Sequence, residues 1–200
     1  MRPAFLAISC AALLTAGCAD TGRSAASQAA AQRPVVTMRG KPVTLEGSPV
    51  RTGQAAPDFT AVANDMSDKK LSDWRGKTVI LSTVPSLETA VCDKETRTFN
   101  QRAAELGDRV VVLTVSMDLP MTQKKWCGAA GIDRVVTLSD YKDRQVGERY
   151  GLRIRESGLL ARAVTVIDPA GVVRYQQIVP ELATEPDYDA ALAAARAAGR

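Results

Sequence analysis

The chain has no histidine among its 200 residues. That absence removes the Ser-His-Asp triad, the Cys-His dyad and every metal site built on imidazole. It leaves Cys, Ser, Thr, Lys, Arg, Tyr and the carboxylates to carry whatever chemistry occurs. Aromatic residues make up only 4%, too few for a surface on which nucleic-acid bases would stack. The formal net charge is +4, but the basic residues are scattered, which describes a solvated surface and no phosphate-binding stripe. Cysteine is scarce too, with Cys10, Cys18, Cys92 and Cys127 the full set, and no C-x-x-C motif occurs. What is present is enough for one domain: 46% hydrophobic and 24% charged residues can bury a core and stay in solution.

The first residues read as a targeting segment. Arg2 supplies a short positive region, and an apolar run from Ala4 to Leu14 follows. The run is too short for a stable membrane span and fits a signal-peptide core. Leu14-Thr15-Ala16-Gly17-Cys18 then resembles a bacterial lipobox, in which the cysteine is lipidated and becomes the new N-terminus. Thr15 stands where that motif usually has Leu, so ordinary signal cleavage is the alternative. Residues 1–17 are therefore expected to be a signal peptide, with Cys18 the lipid anchor of an exported, periplasmic-side protein. Residues 18–34, rich in Ala, Ser and Gln, are expected to be a flexible tether. Cys10 inside the apolar run is a small hydrophobe.

Residues 35–200 read as a single α/β domain. Val35–Met38 and Val43–Leu45 around Gly40-Lys41-Pro42 predict an N-terminal β-hairpin. Strands are expected at Phe59–Ala63, Val79–Val84, Val110–Ser116 and Val135–Leu138. A helix is predicted over Thr89–Leu106, with Phe99, Ala103 and Leu106 on one stripe. Pro120 should open a short helix through Cys127 that Gly131 closes, and Arg144–Tyr150 another. Val164–Asp168 and Val172–Ile178 around Pro169-Ala170-Gly171 predict a hairpin, and the Ala-rich Asp187–Ala198 a last helix. This order implies a mixed sheet with helices on both faces.

Two cysteines remain for the domain, Cys92 and Cys127, 35 residues apart. A four-cysteine zinc site and an adjacent dithiol are both unavailable, and neither metal nor cofactor is expected. A static disulfide, two inert buried thiols and a reactive pair all fit. The position of Cys92 favours reactivity. It lies in the first turn of a predicted helix, where free backbone N–H groups and the helix dipole stabilise negative charge. Thr89, three residues earlier, can aim its hydroxyl at the same point. Asp93 and Glu95 oppose a further anion unless they face away or the fold brings in an arginine. Trp74 and Trp126 read as packing residues.

Pro85-Ser86-Leu87-Glu88-Thr89-Ala90-Val91-Cys92 resembles the peroxiredoxin motif P-x-x-x-[TS]-x-x-C, and in detail its thiol peroxidase branch, which typically has Asp where Glu88 stands. Gly53–Phe59 resembles the common peroxiredoxin opening, Trp126-Cys127-Gly128 the branch's resolving-cysteine segment, Ala161-Arg162-Ala163 its arginine strand, and Thr184–Tyr188 its C-terminal signature. The resemblance implies a thioredoxin-like fold and a hydroperoxide reductase. In it Cys92 is oxidised to a sulfenic acid, Thr89 and Arg162 hold the peroxide, Pro85 shields the site, and Cys127 closes a disulfide with Cys92. A thioredoxin-like protein would be the reductant, and a homodimer is implied. Arg162 reads as a lone cation on an apolar strand. An exported dithiol/disulfide exchange protein is the alternative, and a non-catalytic lipid-anchored interaction domain a third reading.

Overall fold

The structure, a computed structural model, describes residues 34–200. The signal peptide assigned to 1–17, Cys18 and the tether up to residue 33 lie outside the described residues.

β1 (Val36–Met38) and β2 (Lys41–Val43) form the N-terminal hairpin. Its turn is tighter than the sequence suggests. Arg39 and Gly40 occupy it at φ 52° and 76°, the two positive values that a two-residue type I′ turn demands. Lys41 is thereby pulled into the strand opposite Met38. The expected second strand at Val43–Leu45 is thus corrected: β3 (Leu45–Glu46) leaves the hairpin and pairs with a later segment.

β4 (Thr60–Ala63) and β5 (Asp68–Lys70) come next, followed by a 3-10 turn at Leu71–Trp74. β5 escaped the sequence reading because Asp68-Lys69-Lys70 has no apolar residue. It lies at the sheet edge, where charged side chains discourage pairing with another chain. β6 (Thr78–Thr83) leads into α1 (Ala90–Ala103), which ends in a 3-10 turn at Ala104–Leu106. β7 (Val110–Ser116), α2 (Pro120–Ala130) and β8 (Val135–Ser139) follow. Gly131 closes α2 in the left-handed conformation, as the sequence predicts. The chain continues through α3 (Gln145–Arg149), β9 (Arg153–Ile154), β10 (Ala163–Ile167), β11 (Val173–Ile178) and α4 (Tyr188–Ala198). Asp187 caps α4 by accepting the Ala190 N–H.

The main sheet has seven strands in the order β11-β10-β6-β7-β8-β4-β5. β6, β7 and β8 are parallel, and β4 and β10 run antiparallel to their neighbours. Alternation along the strands separates two cores. Ile80, Val112, Val164 and Val166 face Phe99 of α1 and Ala191, Leu192 and Ala195 of α4. Leu81, Leu113, Val115 and Leu138 face Val146 of α3, Tyr150 and the hairpin residue Val36. Each fully buried Val, Leu or Ile contributes roughly 1.5–3 kcal/mol of apolar burial, so these two layers hold the parallel strands whose carboxyl ends carry the site.

The hairpin also braces a loop. Thr37 exchanges backbone hydrogen bonds with Pro180 and Leu182. The Glu181 carboxylate accepts from the N–H groups of Gly40, Ala183 and Arg39 and from the Thr37 hydroxyl. Those donors, led by Gly40, hold its pKa down to about 2. The carbonyl of the next residue, Leu182, reaches the site.

Candidate active site

α1 begins where β6 hands over to the loop Val84–Thr89, at the carboxyl end of the parallel strands. Its inward stripe is Cys92, Glu95, Thr96 and Phe99, spaced i, i+3, i+4, i+7. The stripe predicted from Phe99, Ala103 and Leu106 therefore extends back to the first turn. Cys92 is fully buried, in a small apolar cluster with Val84 and Leu87 against which Trp126 packs.

Two donors meet at the Cys92 sulfur. Thr89 Oγ1 lies 2.9 Å from it and Arg162 Nη2 3.3 Å. Thr89 occupies the N-cap position, but its hydroxyl makes no capping bond. It faces the sulfur and the Ser86 carbonyl, also at 2.9 Å. Arg162 comes from 70 residues away. Ala163 pairs with Thr83, so Arg162 stands just beyond the sheet end from which the Cys92 loop departs. Pro85 is buried at the start of that loop. The carboxylate of Asp118, just past β7, accepts from the Ser86 hydroxyl and the Leu87 N–H, both at 2.8 Å, and so ties the loop to its neighbouring strand.

Arg162 is not the lone cation the sequence suggests, and it precedes β10 where an apolar strand position was expected. Its Nη1 donates to Glu95, and Nε and Nη2 donate to the Leu182 carbonyl at 3.1 and 3.0 Å. Arg162 is 2% exposed and Glu95 0%, so this is a buried ion pair. Glu95 does not face away. It also accepts the Ser82 hydroxyl at 2.7 Å. Burial pushes the Glu95 carboxyl above its ordinary range, against the pull of Arg162 and Ser82. Burial works against the Arg162 charge, and Glu95 and Cys92 outweigh it, so the guanidinium is held protonated. Asp93 is occupied elsewhere, gripped by Arg97 at 2.9 and 3.0 Å. One guanidinium thus serves two groups that can carry negative charge, Cys92 and Glu95.

Glu95 and Asp118 join the site beyond the residues that the sequence motifs name. For Glu95 a signal existed: a carboxylate three residues after Cys92 and four before Phe99 lies on the buried stripe and needs a cation. For Asp118 there was none, since its role depends on β6 and β7 being neighbours.

Cys127 is a free thiol on α2, as is Cys92 on α1. The structure does not bring the two into one site. Cys127 contacts Thr137 on β8, whereas Arg162 at Cys92 adjoins β10. Neither sulfur is a partner of the other, although Trp126, next to Cys127, packs against the Cys92 cluster. Trp126 sits beneath Arg97, whose guanidinium lies 5.9 Å from the ring centroid, and Trp74 is half-buried against the larger core; both pack. Among the described residues no group of three or more His, Cys, Asp or Glu could hold a metal ion, and no helix is long and apolar enough to cross a membrane.

Residues 51–192 match the Redoxin family model. The chain is 49% identical over 162 residues to a thiol peroxidase of Bacillus subtilis, covering 81% of this chain and 96% of that protein. A thiol peroxidase of Oceanobacillus iheyensis is 50% identical over 157 residues, covering 78% and 95%. Among solved structures, a peroxiredoxin-like protein from Aquifex aeolicus superposes with a TM-score of 0.78 at 38% identity, over 82% of this chain and 97% of that one.

Proposed function

Because the chain belongs to the thiol peroxidase family of peroxiredoxins, we propose that it reduces hydrogen peroxide and organic hydroperoxides through Cys92. The observation that carries this is the convergence of Thr89 Oγ1 and Arg162 Nη2 on one buried sulfur at a helix N-terminus. The Cys92 thiolate attacks the terminal peroxide oxygen. A sulfur–oxygen bond forms as the O–O bond breaks, and the departing alkoxide or hydroxide takes a proton and leaves as alcohol or water. Thr89 and Arg162 donate to the oxygens as charge develops on them. Pro85 keeps bulk water from the sulfur. The product is a Cys92 sulfenic acid.

Cys127 attacks that sulfur, releasing water and closing the Cys92–Cys127 disulfide, which a thioredoxin-like dithiol protein reduces by exchange. Both cysteines are free thiols held by separate partners, so part of the structure must move to close the bond. α2 is the segment that yields: it is short, Gly128 weakens it and Gly131 already ends it. Cys127→Ser should leave the first oxidation of Cys92 intact and stop turnover with a thioredoxin-type reductant. The sulfenic acid should then be trapped by dimedone and over-oxidise in excess peroxide. Wild-type cycling by this variant would remove Cys127 from the mechanism.

The same reading places the protein outside the cytoplasmic membrane, anchored through a lipid on Cys18, and as a homodimer. The apolar run ending in Ala16-Gly17-Cys18 supports the anchor, and the family resemblance supports the dimer. Intact-mass measurement of the membrane-fraction protein should find Cys18 N-terminal and acylated; an unmodified N-terminus downstream of it would exclude the anchor. Sedimentation velocity of the domain, showing monomer only, would exclude the dimer.

A further inference from the structure

Cys127 does not hang free on α2. Its sulfur lies 3.3 Å from Thr137 Oγ1 and 3.7 Å from Asn64 Nδ2. Asn64 directly follows β4, one residue past the Ala63–Leu138 pair, and that register sets it beside Thr137 of β8. The Asn64 amide donates to Thr137 Oγ1 at 2.8 Å. With its oxygen already accepting, Thr137 can turn its own proton toward the sulfur, while the amide offers the same sulfur a second N–H. Asn64 Oδ1 is buried with no partner among the described residues. The nitrogen end, turned to Thr137 and Cys127, is the end this site uses.

Other contacts hold the ends of α2. Gln123 Nε2 donates to Ser116 Oγ and the Leu138 carbonyl, both at 2.9 Å. Arg97 donates to the Ala130 carbonyl at 2.7 Å. Among the described residues only the Asn64–Thr137 pair grips the reacting atom itself, and that grip must break before Cys127 can travel.

We propose that Asn64 and Thr137 are positioning residues for the resolving half-reaction: they seat Cys127 in the folded helix and so set how long the Cys92 sulfenic acid persists. This rests on Cys127 being the resolving cysteine. Two reactions compete for the sulfenic acid. Attack by Cys127 forms the S–S bond and expels water. A second hydroperoxide instead transfers one oxygen, giving the sulfinic acid and an alcohol or water. A firmer seat slows the first and favours the second.

The experiment is stopped-flow fluorescence of reduced protein mixed with hydrogen peroxide, with Trp126 beside Cys127 as reporter, and mass spectrometry of sulfinic Cys92. Thr137→Val keeps the shape and removes the hydroxyl. Losing one hydrogen bond of about 1 kcal/mol should speed disulfide formation roughly fivefold and lower the sulfinic fraction to match. The rate of the first oxidation should not change. Thr137→Ser should behave as wild type. Ile80→Val, a core change on β6, two strands from the seat on β8, controls for general loss of stability and should leave the partition where it is. Asn64→Ala carries the same test should Thr137→Val fail to fold. Unchanged disulfide formation in the seat variants, or an equal shift in Ile80→Val, would overturn the proposal. Cys127→Ser separates the two levels: stalled turnover in it with unaltered seat variants sinks the seat alone, and normal turnover in it sinks the resolving role beneath it.

Discussion

Cys92→Ser will abolish hydroperoxide reduction while leaving the fold in place. The expected loss in peroxide consumption by the purified domain with dithiothreitol is at least about a thousandfold, the scale on which removing a nucleophile acts. The protein environment is not what fails. Serine is close to cysteine in shape, and its oxygen can still accept from Thr89 and Arg162, whose donors reach the sulfur at 2.9 and 3.3 Å. What fails is the atom: an alcohol is far less acidic and far less nucleophilic toward a peroxide oxygen than a thiol. Because serine fits the site of Cys92 beside Val84 and Leu87 and keeps both hydrogen-bond partners, thermal unfolding should change little. Retained peroxide consumption by a folded Cys92→Ser variant would end the assignment of Cys92.

Arg162→Met has the second largest effect, and it acts on two properties at once. Taken from the sequence, with Arg162 as a lone cation, the change should slow Cys92 oxidation far more than it lowers stability. The Glu95 pair revises that expectation. Removing the guanidinium leaves a fully buried carboxylate without its cation, and breaking a buried pair in this way costs about 3–5 kcal/mol. Cys92 oxidation should slow by roughly 10²–10³-fold, as when a preorganised charge donor is lost. The two effects separate in the double variant Arg162→Met with Glu95→Gln, where no uncompensated charge remains. Most of the stability should return and the slow oxidation should not. Recovery of both would make Arg162 structural only.

The pH dependence of the single variant carries the same signature. The Glu95 carboxyl is raised by burial even with Arg162 beside it, and without Arg162 it rises further. A carboxyl that binds its proton more tightly folded than unfolded is most compatible with the fold at low pH. Its penalty grows as pH rises through the unfolded value toward the folded one. Denaturant unfolding of Arg162→Met should therefore show stability falling as pH rises from the ordinary carboxylate range, a slope absent from the double variant. A flat profile in the single variant would show that Glu95 finds another partner.

Much of this could be read locally. Thr89 and Cys92 are three residues apart at the start of a helix, and any chain with that spacing brings hydroxyl and sulfur together within one turn. The buried parallel strands announced themselves as apolar runs at Val79–Val84 and Val110–Ser116, and Gly131 marked the end of α2, because such signals depend only on neighbours in the chain. The hairpin register is not legible locally, because Arg39 adopts a positive φ that its side chain does not advertise. β5 was invisible because an edge strand needs no apolar face.

The rest was decided by tertiary structure. Arg162 reaches Cys92 only because β10 lies antiparallel beside β6 with Ala163 opposite Thr83. Asn64 meets Thr137 and Cys127 only because β4 joins β8. Glu95 shows the boundary between the two. Helical spacing from Cys92 and Phe99 is enough to put a carboxylate on the inward face of α1, although the sequence alone leaves open whether Glu95 faces away. Whether that carboxylate would repel the Cys92 anion or hold the cation beside it depended on strand order and register. Those are set by burying two apolar sheet faces at once, a global condition that no local run of residues encodes.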